Sequence, residues 1–227
     1  MDAIVTVSNV VKNYGQDHVV TAALSGVSLR LEPGDFAVMA GPPGSGKSTL
    51  LNIIGGLDRP TSGSVSIEGR ELASLSDADL SRLRRDRIGF IFQGYNLIPV
   101  MTALENAEYV LMLQGAPAAR RREKVLAVLA EVGLSGLENR YPRELSGGQQ
   151  QRVAIARAIA AEPALILADE PTANVDSRTG DSLIALMRRL NEKGATFLFS
   201  THDPAVMAKA RRLIVLKDGL VESDSEK

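Results

Sequence analysis

The 227-residue sequence carries 26 Lys and Arg against 27 Asp and Glu, a net charge of −1, so no global field draws it toward nucleic acid. It has no cysteine and two histidines, His18 and His202, which excludes disulfides and zinc sites of the Cys/His type. Aromatic residues make up 4% and tryptophan is absent, which argues against a base-stacking surface, and the length suits one sizeable domain.

The opening stretch MDAIVTVSNVVKNYG lacks the basic start and apolar core of a signal peptide. Its alternation predicts strands at Ile4–Val11 and Val27–Leu31, a half-buried antiparallel pair. Phe36–Ala40 is a short apolar strand running into a glycine-rich loop, and Thr49–Leu57 has helical spacing. Val65–Ile67 closes on Glu68-Gly69 as another strand. Ser76, Asp77 and Asp79 open a helix that ends near Arg84, Arg85 and Arg87, a charge order that suits its dipole.

A strand is expected at Ile88–Phe92, then helices at Glu105–Gln114, at Arg120–Val132 and from Gly147-Gly148 onward. Strand and helix alternate again through Leu165–Ala168, Arg178–Asn191, Thr196–Ser200, Pro204–Ala210 and Leu213–Leu216, and the polar end, Glu222–Lys227, is expected to fray. No run of about 18 uncharged apolar residues occurs. The expected molecule is a soluble α/β protein with a mainly parallel sheet and an N-terminal antiparallel part. It reads as one domain over 1–227, its catalytic lobe about 1–93 and 162–227 and an inserted helical lobe about 94–161.

Gly41-Pro42-Pro43-Gly44-Ser45-Gly46-Lys47-Ser48-Thr49 matches G-x-x-x-x-G-K-[ST] between a predicted strand and a predicted helix. Glycines let successive N–H groups wrap an anion at a helix start. Lys47 then reaches the β- and γ-phosphates, and the Ser48 hydroxyl suits Mg²⁺. The run Leu165-Ile-Leu-Ala168 is too short for a helix and too apolar for a solvated strand, and it ends in Asp169-Glu170. That is where a parallel sheet presents its ligands, with Asp169 a candidate for the metal shell and Glu170 for the base that polarises water. His18 falls on a polar loop and reads as solvated.

Leu145-Ser146-Gly147-Gly148-Gln149 opens a second helix with a Ser-Gly-Gly turn, a second backbone anion site in one small domain. With the Asp-Glu strand following 20 residues later, the segment resembles the signature of the ABC ATPases, and the resemblance covers essentially the whole chain. It implies the P-loop NTPase (RecA-like) fold, ATP and Mg²⁺ as cofactors, and ATP hydrolysis. It implies that Tyr14 stacks on adenine, that Gln93 is the glutamine linking metal and helical lobe, that Ala173–Asp176 forms the loop across a dimer, and that His202 meets the γ-phosphate. Two copies would dock head to tail, so that Ser146, Gly147, Gly148 and Gln149 of one cover the nucleotide held by the other.

Two positions depart from the family pattern. Pro43 replaces a serine, removing one hydroxyl and one N–H near the β-phosphate, and the loop Ala-Asn-Val-Asp lacks the usual small residue before Leu-Asp. The segments Asn52–Gly63 and Gly89–Pro99 resemble the bacterial lipoprotein-release, macrolide-efflux and cell-division group. That resemblance implies a partner permease with extracytoplasmic domains and a peripheral location on the cytoplasmic face of the bacterial inner membrane. Leu97, Ile98, Val100 and Met101 are expected either to wall the groove that receives the permease or to pack internally. The family also includes soluble ATPases of DNA repair, chromosome upkeep and iron–sulfur assembly; the chain has neither a long coiled coil nor a zinc insert, and no cysteine for a cluster.

Overall fold

The computed structural model describes residues 3–15 and 20–226; His18 lies outside them. Strands β1 (Val5–Tyr14), β2 (Thr21–Leu31), β4 (Ser62–Ile67) and β5 (Arg70–Glu71) form an antiparallel sheet in the order β2-β1-β4-β5. A second sheet contains β3 (Phe36–Ala40), β6 (Ile88–Ile91), β7 (Leu165–Asp169), β8 (Thr196–Thr201), β9 (Arg212–Lys217) and β10 (Leu220–Glu226), ordered β10-β9-β3-β8-β7-β6. Its pairs are parallel except β9 with β10.

The central strands are apolar throughout because both faces are covered. Side chains alternate in direction along a strand, so Phe36 and Val38, Ile166 and Ala168, Phe197 and Phe199 enter one core. Ala37 and Met39, Leu165 and Leu167, and Leu198 enter the other. The second core is closed by the antiparallel sheet with α1 (Lys47–Ile54) and α2 (Asp77–Arg87). The first is closed by α3 (Ala103–Leu113), α4 (Ala118–Glu131), α5 (Gly147–Ala160), α6 (Ser177–Glu192) and the short α7 (Pro204–Met207). Phe36 meets Phe197 and Phe199 edge-on at 5.7 and 5.1 Å between ring centres, a favoured aromatic geometry.

Two strands depart from expectation, for the same reason. The polar end of the chain does not fray but pairs as β10, with Leu220 opposite Lys217 across Asp218-Gly219. Both turn residues have positive φ, 49° and 76°, the requirement of a two-residue type I′ hairpin. Glu68-Gly69, at 49° and 74°, makes the same turn into β5. The edge is tied further by Arg212, which forms a bidentate pair with Asp224 at 2.7 and 2.9 Å and reaches Asp35 at 2.8 Å. The hydrogen bond to Asp224 raises the Arg212 pKa above its already high value, so the guanidinium keeps its charge between these acids. Among the described residues no helix is long and apolar enough to cross a membrane.

Candidate nucleotide site

The C-terminal ends of β3, β8 and β7 lie level with one another. Register pairs Ala40 with Thr201 and Asp169 with Ser200, so Gly41, His202 and Glu170 follow at one rim of the sheet. From β3 the chain turns through 41–46 into α1. Close approach dictates glycine here: a Cβ on Gly41 would stand 2.1 Å from the Leu216 carbonyl oxygen, and one on Gly46 2.5 Å from that of Ala23. Lys47 is buried, and its Nζ donates to the Gly41 and Pro42 carbonyls at 2.8 and 3.0 Å. The ammonium therefore lies across the loop.

Pro43 has a structural rationale that the motif does not reveal. The Ser45 N–H donates to the Pro42 carbonyl at 3.2 Å and Gly44 has φ 80°. This is a type II turn with proline and glycine at the two positions that favour them. Pro43→Ser is therefore expected to cost about 0.4–1 kcal/mol by freeing the unfolded chain. Thermal unfolding without nucleotide should show a midpoint lower by a few degrees.

Asp169 is the hub beside the loop. Its Oδ1 accepts from the Ser48 hydroxyl at 3.0 Å and from the Ser200 hydroxyl at 2.5 Å, while Ser200 Oγ accepts the Glu170 N–H at 3.0 Å. A hydroxyl and a carboxylate oxygen at one point are the hard donors Mg²⁺ prefers, few in number as that ion requires when phosphate and water complete its shell. The residues present fit the metal. Glu170 has φ 46°, a left-handed conformation that is costly for a residue with a side chain. Its Oε1 lies 2.8 Å from His202 Nδ1, so that nitrogen carries the proton and donates.

The Ser146–Gln149 turn is built as an N-cap. Ser146 Oγ accepts the Gln149 N–H at 3.3 Å and the Gln149 side chain accepts the Ser146 N–H at 2.9 Å, a capping box. Gln149 is thus occupied in its own chain. Packing also favours glycine: a Cβ on Gly147 would stand 2.8 Å from the Tyr95 hydroxyl, and one on Gly148 2.5 Å from Thr179 Cγ2, so either side chain would have to shift. Among the described residues no hydrogen bond joins this turn to the loop 41–49. Asp176 caps α6, accepting the Thr179 N–H at 3.0 Å and its hydroxyl at 2.6 Å. The Thr179 hydroxyl hydrogen bond, before all else, lowers its pKa.

Gln93 is exposed just beyond β6, and no hydrogen bond among the described residues brings its side chain to Ser48 or Asp169. Its carbonyl accepts from Asn174 Nδ2 at 2.7 Å, and the Tyr95 hydroxyl donates to the Asn174 carbonyl at 3.2 Å. Tyr95 and Asn96 both have positive φ, 60° and 48°. Arg157 of α5 holds that segment by donating to their carbonyls at 2.8 and 2.5 Å. Tyr14 lies 43% exposed at the end of β1, its hydroxyl donating to Asp58 at 2.7 Å.

Asn174 falls in the loop Ala173–Asp176 that the resemblance marks, whereas Ser200 and Arg157 are not singled out by the sequence. Of these two, only Ser200 left a usable sign, standing at the end of a buried strand directly before Thr201-His202. The apolar groove of about 350 Å³ beside β6 is lined by Phe90, Phe92, Leu57, Val110 and Leu113. Leu97, Ile98, Val100 and Met101 do not line it. Val100 is 80% exposed, and Asn106 takes the Ile98 and Met101 backbones for its hydrogen bonds.

A phosphate loop leaving one central strand, and an Asp-Glu end two strands away, place the chain among the P-loop nucleotide hydrolases. The model of the ABC transporter family matches residues 24–173, and the chain belongs to that family as an ATP-binding cassette that takes ATP with Mg²⁺ and hydrolyses it. It is 45% identical to an uncharacterised ABC transporter ATP-binding protein of Thermotoga maritima over 98% of this chain and 95% of that one. It is 44% identical to a macrolide export ATP-binding/permease protein of Hyphomonas neptunium, but spans only 34% of that longer protein. A solved ATP-binding cassette, in a dimeric post-hydrolysis state with ADP and Pi, superimposes with TM-score 0.91 at 46% identity over 98% of both chains. The sequence of that cassette is from Methanocaldococcus jannaschii.

Proposed function

We propose that the chain is the ATP-hydrolysing subunit of an ABC transporter or mechanotransmission complex, working as a homodimer with shared sites. Each ATP would lie between the loop 41–49 of one copy and the Ser146–Gly148 turn of the other. That turn is the observation that carries the reading: it is a well-formed helix start of the kind that suits an anion, and among the described residues no hydrogen bond joins it to the nucleotide loop of its own chain. The dimeric state of the solved relative supports it.

In this reading Tyr14 stacks on the base, Gly41–Thr49 wraps the phosphates, and Lys47 leaves the Gly41 and Pro42 carbonyls for the γ-phosphate. Ser48 and Asp169, with Gln93 swinging in, hold Mg²⁺, which when bound neutralises charge developing on the phosphates. Glu170 orients the attacking water and accepts its proton. His202 holds the Glu170 carboxylate now, at 2.8 Å, and turns to the γ-phosphate on closure. Asp176 keeps the segment Ala173–Asp176 in shape for contact with the partner.

The chain then acts as one domain, with a catalytic lobe of about 1–93 and 162–227 and a helical lobe of about 94–161. The apolar groove lined by Phe90 and Phe92 would receive a permease segment from the membrane. Relatives named as export proteins carry ATP-binding and permease parts in one polypeptide, which supports partnership with a permease; in this reading that permease has extracytoplasmic domains. The subunit would sit peripherally on the cytoplasmic face of the bacterial inner membrane. Purification from a detergent extract is expected to bring a multi-span protein with it; ATP turnover raised by DNA alone would overturn the assignment.

A further inference from the structure

Asp58 and Lys12 carry no role in the chemistry described above, yet they form a closed polar cluster around Tyr14. Lys12 Nζ donates to Asp58 Oδ1 at 2.6 Å and to the Arg59 carbonyl at 2.8 Å. The same ammonium stands 4.7 Å from the centre of the Tyr14 ring, within cation–π range. The Tyr14 hydroxyl donates to the other oxygen, Asp58 Oδ2, at 2.7 Å, and the Arg59 N–H donates to Oδ1 at 2.7 Å. Each carboxylate oxygen thus holds a different part of the cluster, and the Lys12 side chain is only 13% exposed. A surface tyrosine ring ordinarily swings among rotamers; this one is fixed at its hydroxyl and covered on one face.

We propose that Asp58, aided by Lys12, is a positioning residue for nucleotide binding, fixing the Tyr14 ring so that its uncovered face meets the purine. This rests on the reading of Tyr14 as the base-stacking residue. The argument is one of preorganisation: a ring locked before binding loses less rotamer entropy when a base stacks on it. The carboxylate is well suited to the task. Burial alone would raise the Asp58 pKa, but the hydrogen bonds from Lys12 and Tyr14 outweigh it and bring the pKa below the usual value. Asp58 belongs to the loop that follows α1, and the Thr49 side chain lies beside the Tyr14 hydroxyl. The ring is therefore anchored to the same helix into which the phosphate loop leads, which ties the base subsite to the phosphate subsite.

The test compares Asp58→Ala, Asp58→Asn, Tyr14→Phe and Tyr14→Ala in steady-state ATP hydrolysis, with inorganic triphosphate as a competitive inhibitor that has no base. Asp58→Ala and Tyr14→Phe are each expected to raise KM for ATP roughly 3- to 10-fold, the value of one hydrogen bond, with a smaller change in kcat. Asp58→Asn, which keeps an acceptor for the hydroxyl, should recover most of the loss. Inhibition by triphosphate should be unchanged in all four. The double variant Tyr14→Ala/Asp58→Ala should be no worse than Tyr14→Ala alone. If Tyr14→Ala raises KM while Asp58→Ala and Tyr14→Phe do not, the positioning role is overturned and base stacking stands. If Tyr14→Ala leaves KM unchanged, the stacking assignment itself fails. Equal weakening of triphosphate by Asp58→Ala would show that Asp58 acts on the loop 41–49 instead, which also overturns the proposal.

Discussion

Glu170→Gln is expected to lower ATP turnover by roughly 10²- to 10⁴-fold, the contribution of a positioned general base, while ATP binding persists. The structure says why the loss should be confined to chemistry. Glu170 follows the last residue of β7, its backbone held at φ 46° and its N–H donated to Ser200 Oγ at 3.0 Å. None of that depends on the carboxylate. Among the described residues the side chain makes one hydrogen bond, from His202 Nδ1 at 2.8 Å, and a glutamine carbonyl oxygen can also accept it. Size, fold and the His202 anchor survive; the capacity to take a proton does not. With hydrolysis removed, the closed state is no longer consumed, and ATP should drive the chain to a dimer. Light scattering after gel filtration with ATP and Mg²⁺ reads the mass directly. A monomer under those conditions would count against the shared site, and turnover near the unaltered rate would remove Glu170 from the role of base.

The parts of this molecule that sequence displays best are those where one physical demand acts on consecutive residues. The strand at Leu165 is legible because both its faces are buried, so four apolar residues in a row lead to an acidic pair. The phosphate loop is legible because Gly41 and Gly46 have backbone carbonyls within 2.5 Å of where a Cβ would be. What escaped detection depends on partners distant in sequence. Strand β10 is polar after Leu220 and Val221, as an edge strand can be, and the Asp218-Gly219 turn is what announces it. Asn174 and Gln93 are 81 positions apart, and Arg157 lies 62 from Tyr95; nothing local marks either pair. A buried amide likewise sets the segment beyond β6. Leu97 to Met101 is apolar, but Asn106, buried at the start of α3, fastens that segment to its own helix, leaving Phe90 and Phe92, stacked at 5.6 Å, to face the groove.

Ser146→Asp should prove as damaging as the loss of the base while leaving the fold untouched, and that combination is what makes it informative. Aspartate is as good an N-cap as serine and sits favourably at a helix start, so the bond from the Gln149 N–H, 3.3 Å in the unaltered turn, is retained and the thermal midpoint should not move. Against a γ-phosphate the same carboxylate is repulsive in a site of low dielectric, and turnover is expected to fall by about 100-fold or more. Lys47→Met should be comparably inactive, since the ammonium over the Gly41 and Pro42 carbonyls is replaced by a side chain of similar length without charge. Mixing the two inactive proteins then separates the possible architectures. If each nucleotide is held by Lys47 of one copy and Ser146 of the other, a mixed dimer has one intact site and one doubly broken site. Random pairing makes half the dimers mixed, so about a quarter of the unaltered activity should return if one site can turn over alone. If each chain held its nucleotide with its own Ser146, neither variant could supply what the other lacks, and the mixture would stay as inactive as its components. Recovery on mixing therefore requires that the turn at Ser146, structurally complete in its own chain, be chemically useful only in another.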